Sequence, residues 1–180
     1  MIVIKKVNDT GDWITYHKST GAGKYNKLNT NAATITSAEH HKSEPTPTVF
    51  TIGDSNDVNE SGDVFIAYCF ADTDGLFATG IYTGNGSGSG GPVQTCGFKP
   101  HRIAIGPNTH DGNWGHWDLT RGEDERIAHG GGASNDSSAV HLDMTNTGFK
   151  SNNNDTDSNG SGRNYIWAAW AADYNSGPEQ

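Results

Sequence analysis

Three stretches carry residue types at spacings that could do chemistry. Asp155-Thr156-Asp157-Ser158-Asn159-Gly160 copies the opening of a calcium loop, with oxygen donors at alternate positions and Gly at the sixth. The twelfth position should bring a bidentate Glu, and it falls instead on Ile166 inside an apolar run, so a solvated loop is the simpler reading. Gly122-Glu123-Asp124-Glu125-Arg126 sets Glu123 and Glu125 at alternate positions, as a strand would to present two carboxylates about 5 Å apart to a glycoside. The flanks lack the apolar and aromatic residues of a buried strand, so a surface loop is expected. Glu123, Asp124, Glu125 and Arg126 remain as weak candidates for ligand contact. Eight histidines include no zinc spacing, and His40-His41, adjacent on an extended loop, must point in opposite directions.

No metal and no cofactor is therefore expected. Gly84–Gly91 is glycine-rich but is followed by neither the Lys nor the helix of a phosphate loop, and no nucleophile elbow or dinucleotide fingerprint occurs. The expectation is a protein that is not an enzyme. Trp13, Trp114, Trp117, Trp167 and Trp170 could stack on sugar rings, yet the first three fall at repeated positions that more simply fill a core.

That repetition organises the chain. Ile2-Val3-Ile4, Gly11-Asp12-Trp13, Tyr16 and Gly21 return as Ile103-Ala104-Ile105, Gly112-Asn113-Trp114, Trp117 and Gly122; 114 − 13 and 122 − 21 both give 101. Asn59, Ser61-Gly62, Phe65-Ile66 and Phe70-Ala71 return as Asn159, Ser161-Gly162, Tyr165-Ile166 and Trp170-Ala171, with 170 − 70 giving 100. Glycines, aromatics and β-branched residues repeat, whereas histidines and carboxylates mostly do not. Each copy, about 1–72 and about 101–172, is too short to bury a good core alone, so the two are read as halves of one domain over 1–175. Residues 176–180 are expected to fray.

Composition bounds the rest. With 180 residues, 24 glycines and a hydrophobic share of 32%, the chain suits many turns between short strands. A net charge of −9 argues against nucleic acid, which needs clustered Lys and Arg. No apolar run reaches the length of a membrane span, and the N-terminus lacks a signal peptide's pattern. Cys69 and Cys96 are expected as buried free thiols, with a disulfide as the alternative. Period-two alternation predicts strands at Met1–Val7, Asp12–His17, Thr48–Ile52, Asp63–Ala71, Leu76–Thr83, Pro92–Phe98, Arg102–Ile105, Trp114–Leu119, Arg126–His129, Ala139–Met144 and Arg163–Ala171. Polar loops are expected at Thr30–Pro47, Gly53–Gly62, Glu123–Ser138 and Ser151–Gly162. The near-continuous apolar runs from Val64 and from Tyr165 should both be central strands, covered on both faces. The sum is an all-β, two-sheet sandwich.

Tyr82-Thr83-Gly84-Asn85-Gly86-Ser87, Gly97-Phe98-Lys99-Pro100 and Trp114-x-x-Trp117-Asp118-x-x-Arg121-Gly122, in this order, resemble a recurring domain of phage virion proteins, common in phages of marine bacteria. Trp13-x-x-Tyr16-His17-Lys18 and Phe65–Ala71 fit the same family's other half. The resemblance implies a concanavalin A-like jelly roll on the virion surface, made in the bacterial cytoplasm, and it brings no catalytic residues. One departure stands out: no Tyr-Thr-Gly-Asn-Gly stretch precedes the first copy, so a sheet edge is expected to be short or closed by the C-terminal segment.

Two functions follow as expectations. The first is a capsid decoration knob, since the chain has no heptads or fibrous shaft, with the major capsid protein or other virion proteins as partners. The alternative is a tail-fibre module that binds host-surface glycans through the unique loops Glu123–Ser138 and Thr30–Pro47. A glycan hydrolase would need Glu123 or Glu125.

Overall fold

The computed structural model describes residues 1–129, 135–136 and 141–172. Among them the chain is nearly all β. The first half builds a five-stranded antiparallel sheet from β1 (Ile2–Lys6), β2 (Ile14–Tyr16), β3 (Lys24–Lys27), β4 (Ile35–Thr36) and β5 (Phe65–Cys69), in the order β4-β3-β2-β1-β5, with one helical turn, α1 (Asn56–Asn59). The second half builds a six-stranded antiparallel sheet from β6 (Phe77–Thr83), β8 (Pro100–Pro107), β9 (Trp114–Asp118), β10 (Gly122–His129), β11 (Asn135–Asp136) and β14 (Asn164–Ala171), in the order β11-β10-β9-β8-β14-β6. A three-stranded sheet, β12 (Leu142–Thr145), β13 (Gly148–Ser151) and β7 (Val93–Thr95), completes it.

Alternation along the strands sorts the side chains into layers. Ile2 and Ile4 turn to one face of the five-stranded sheet and pack with Ile14, Tyr16, Tyr25 and, from α1, Val58. Ile103, Ile105, Trp117, Tyr165 and Trp167 turn to one face of the six-stranded sheet and pack against Leu142, Met144 and Phe149 of the three-stranded sheet. The opposite faces of the two large sheets meet each other. There His17 Nε2 lies 3.0 Å from the Trp167 carbonyl, Asn26 Nδ2 donates to the Pro107 carbonyl at 3.0 Å, and Thr34 Oγ1 donates to Asn108 Oδ1 at 2.8 Å. The arrangement is sandwich-like, with a polar seam between two apolar cores.

The ladders of the two halves coincide in register. Ile2 pairs with Tyr16 and Cys69, while Ile103 pairs with Trp117 and Ala169. Thr15 pairs with Asn26, and His116 with Ile127. Partners on β1, β2 and β3 shift by 101 to reach β8, β9 and β10, and those on β5 shift by 100 to reach β14. These are the offsets of the sequence.

Several expectations need correction. β14 is central and buried, but β5 lies at a sheet edge and most of it is exposed, because no strand among the described residues takes the place beside it that β6 takes beside β14. Cys69 and Cys96 are free thiols as expected, yet neither is fully buried: Cys69 is exposed on that same edge and Cys96 is half-buried. Gly122–Arg126 belongs to β10 rather than a surface loop, with its pairing to β9 interrupted between Gly122 and Ile127. Thr48–Ile52 forms only a single bridge, Ile52 to His41. Ser158 and Asn159, read as part of a solvated loop, are fully buried. Residues 130–134, 137–140 and 173–180 lie outside the described residues, and with them part of the expected loop Glu123–Ser138, the start of the strand expected at Ala139–Met144, the C-terminal segment expected at a sheet edge and the frayed end.

Candidate functional site

The ligand candidates Glu123, Asp124, Glu125 and Arg126 share β10, and the two whose side chains are described, Glu123 and Arg126, reach different partners. Glu123 sits where β10 passes the β12–β13 hairpin, and its Oε1 accepts the Met144 N–H at 2.8 Å. Arg126, only 6% exposed, extends its Nη1 to Asp155 Oδ1 at 2.8 Å, with Asp157 Oδ2 at 3.8 Å. The side chains of Asp124 and Glu125 lie outside the described parts of the structure.

Arg126 also accounts for the calcium-like loop. The two aspartates that would open a cation site face a guanidinium, and Asp157 further accepts from Asn113 N at 3.1 Å and Asn113 Nδ2 at 3.0 Å. Thr156 turns its carbonyl to the Tyr165 hydroxyl at 2.7 Å. The donors of the loop are thus committed to protein partners.

One cluster has the composition of a metal site: Glu123, His141 and Asp143 each offer a ligand atom, all within 4.8 Å of one another. Its groups are already engaged. His141 Nε2 is 2.5 Å from Asp143 Oδ1, the other Asp143 oxygen accepts from Asn152 Nδ2, and Glu123 holds the Met144 amide. A cation there would have to displace these bonds.

His40 and His41, the densest histidine pair, serve packing. His40 stacks on Tyr25 with ring centres 3.8 Å apart, and His41 leans on Tyr16 at 5.4 Å. Burial drives the His41 pKa down to about 4, with neighbouring His40 as a smaller cause.

The candidate for a ligand richest in aromatic rings is a groove of about 320 Å³ between the two large sheets, near the lower end of small-molecule sites. Trp13 and Tyr68 line one wall and Arg102, Trp114, His116 and Trp170 the other. Trp13 and Tyr68 stack at 6.4 Å, and the Arg102 guanidinium lies 5.6 Å from the Trp170 ring centre. Flat aromatic faces beside a guanidinium and an imidazole can hold the apolar face and the hydroxyls of a sugar.

Sequence reasoning missed this groove because it equated Trp13 with Trp114. Trp114 and Trp117 are buried as expected, but Trp13 precedes the first ladder pair of β2 and is only half-buried at the groove.

The motifs singled out in the sequence prove to hold the scaffold. Asn159 is their hub: its Nδ2 donates to Asn153 O at 2.7 Å and Ser87 O at 3.0 Å, and its Oδ1 accepts the Asn85 N–H at 3.0 Å. Tyr82 donates its hydroxyl to the Ser158 carbonyl at 2.5 Å. Gly84 packs so tightly there that a Cβ would come within 2.5 Å of the Gly160 oxygen. No helix among the described residues is long and apolar enough to cross a membrane.

Comparison with known proteins gives a family and no activity. The family model described as a domain of unknown function, DUF7483, matches residues 1–173, so the chain belongs to that family. No curated protein and no solved structure matches it.

Proposed function

We propose that this DUF7483 protein is a structural component of a phage virion, displayed on the particle surface as a capsid decoration knob. In this reading it folds as a concanavalin A-like jelly roll made of two copies of one unit. The observation that carries it is the ordered set of motifs from Tyr82 to Gly122, which resembles virion domains and whose best-placed side chains serve packing. Tyr82 and Asn85 fasten a turn, and Phe98, Trp114 and Trp117 fill the core. A domain whose shared residues hold shape suits display on a shell. Its net charge of −9 keeps many copies soluble and apart. Its partner is then the major capsid protein or another virion protein. Gold-labelled antibody to the folded domain, applied to intact particles, tests this: gold over the heads supports it, and gold confined to tails refutes it.

A second reading, a tail-borne adhesion module for host-surface glycans, is favoured by the aromatic groove. It predicts glycan binding that is lost in Trp13→Ala and in Trp170→Ala. A screen of surface glycans with no binder rejects it.

A further inference from the structure

β14 and β5 occupy equivalent places, yet among the described residues only β14 has a strand paired along its outer side. β6 runs antiparallel along it, pairing Thr83 with Asn164, Ile81 with Ile166, Gly80 with Trp167 and Ala78 with Ala169. The turn after β6 then seats on Asn159. Tyr165, Trp167, Ala169 and Asn159 are all buried, the first three also beneath the three-stranded sheet. Their counterparts on the first half are Phe65, Ala67, Cys69 and Asn59. Ala67, Cys69 and Asn59 are exposed, and Phe65 is only half-buried.

The backbone of β5 is ready for the same treatment. Met1 and Phe70 exchange both of their backbone bonds at 2.8 Å, and Val7 N donates to Val64 O at 2.8 Å. Antiparallel alternation therefore turns the N–H and C=O groups of Phe65, Ala67 and Cys69 outward, to the open edge. Three of the large exposed hydrophobics lie here, Val64 immediately before the strand and Ile66 and Tyr68 on it. Beside it runs an open trough of about 520 Å³, lined by Ile2, Tyr16, Val49, Phe50 and Cys69. Long, apolar, unpaired edges of this kind are what proteins normally blunt with charge, proline or a cover.

We propose that the β5 edge is a docking site for an extended strand supplied by another polypeptide, which adds to the five-stranded sheet antiparallel to β5. The chemistry of the strand follows from β6. It alternates, with apolar or β-branched residues opposite Val64 and Ile66, and a Gly-Asn-Gly turn after it seats on Asn59. It differs from β6 at one position. Gly80 is required beside Trp167, since a Cβ there would come within 2.4 Å of the indole ring. Ala67 stands in place of Trp167 and leaves that space open, so the docking strand carries a large apolar side chain opposite Ala67. Main-chain bonds supply affinity, and the exposed position over Ala67 supplies selectivity. The inference is independent of whether the protein sits on a head or a tail.

The probe is the chain's own β6 sequence as a fluorescein-labelled peptide, Phe-Ala-Thr-Gly-Ile-Tyr-Thr-Gly-Asn-Gly-Ser, alongside the same peptide with Leu in place of its first Gly. Anisotropy titrations use the full chain and its Ala67→Pro variant. Proline at 67 removes one outward N–H, a change an edge strand tolerates, and matching urea midpoints show that the variant folds. Saturable binding, tighter by fivefold or more for the Leu peptide and weakened tenfold or more by Ala67→Pro, supports the proposal. No binding of either peptide overturns it, as does equal binding to Ala67→Pro. Concentration-dependent dimers of the protein alone, abolished by Ala67→Pro, also overturn it, because the occupant is then a second copy.

Discussion

His17 ties the two large sheets together, and its protonation should loosen them. Its ring is buried; Ser19 N–H donates to Nδ1 at 3.2 Å, so the proton resides on Nε2, which donates to the Trp167 carbonyl at 3.0 Å. A second proton would have to enter at Nδ1, against the Ser19 amide, in a seam with little water. Burial pushes the pKa down to about 4 from 6.5, with the N-terminal amine adding to the effect and Asp72 and the Trp167 carbonyl opposing it. Because the folded value lies below the unfolded one, falling pH protonates the unfolded chain first. The stabilisation is present above about pH 6.5 and drains away until about pH 4. Linkage with these two values gives a loss of about 2 kcal/mol between pH 7 and pH 5 from this one side chain. Carboxylates contribute little in that interval, since unfolded Asp and Glu titrate near 4.

The assay is urea unfolding followed by tryptophan fluorescence at pH 7, 6 and 5, on the wild type and on His17→Gln. Glutamine keeps an N–H donor near the Trp167 carbonyl and does not titrate. His41 and His110 are also held below their usual pKa by burial, so the variant keeps part of the acid sensitivity. The wild type should lose about 2 kcal/mol more than His17→Gln on going from pH 7 to pH 5. A difference between the two proteins that stays constant with pH refutes the reasoning, whatever its absolute size.

Other side chains give further tests by the same unfolding assay. Asn159→Ala should cost about 3 kcal/mol or more, because it strands several buried polar groups. Asn59→Ala, at the exposed counterpart with a bond to Gly53 O at 3.0 Å, should cost under about 1 kcal/mol; equal losses would contradict the hub role. Gly80→Ala should cost about 1–3 kcal/mol by driving a methyl into Trp167, whereas Gly88→Ala, with nothing within 4 Å, should be near neutral. Arg126→Met should destabilise by about 2–4 kcal/mol, since it leaves Asp155 and Asp157 without their guanidinium; an unchanged urea midpoint would show that pairing to be dispensable.

Much of the fold was legible in the pattern of residues. Strands with clean alternation or long apolar runs, such as β1, β6 and β14, fall where the sequence predicts them, and the 101-residue offset recurs in the ladder registers. β3 and β13 escaped notice because they are four residues each and Lys24-Tyr25-Asn26-Lys27 looks polar. Asn26 is nevertheless fully buried, its amide satisfied by Thr34 and Pro107 across the seam. Local patterns cannot report partners that come from a distant sheet. The same limit hid the inter-sheet groove, whose walls are brought together only by the packing of the two halves.

The misreading of β5 is of another kind. Its residues do have the composition of a central strand, and the inference from Phe65-Ile66-Ala67-Tyr68-Cys69 to double-sided cover was physically sound. What is lacking among the described residues is the cover. An apolar strand left at an edge raises the risk of aggregation, and edges are commonly charged, shortened or kinked to avoid it. β5 has none of these devices along its five residues: no Lys, no Pro, no bulge in its pairing with β1. Where local pattern and global fold disagree in this way, a functional site is the expected cause. The equivalent strand β14 displays the resolved form of the conflict within the same molecule, in the pairing of Gly80 with Trp167. A strand that retains the sequence of an interior element while standing at an edge has the character of an interface awaiting its second side.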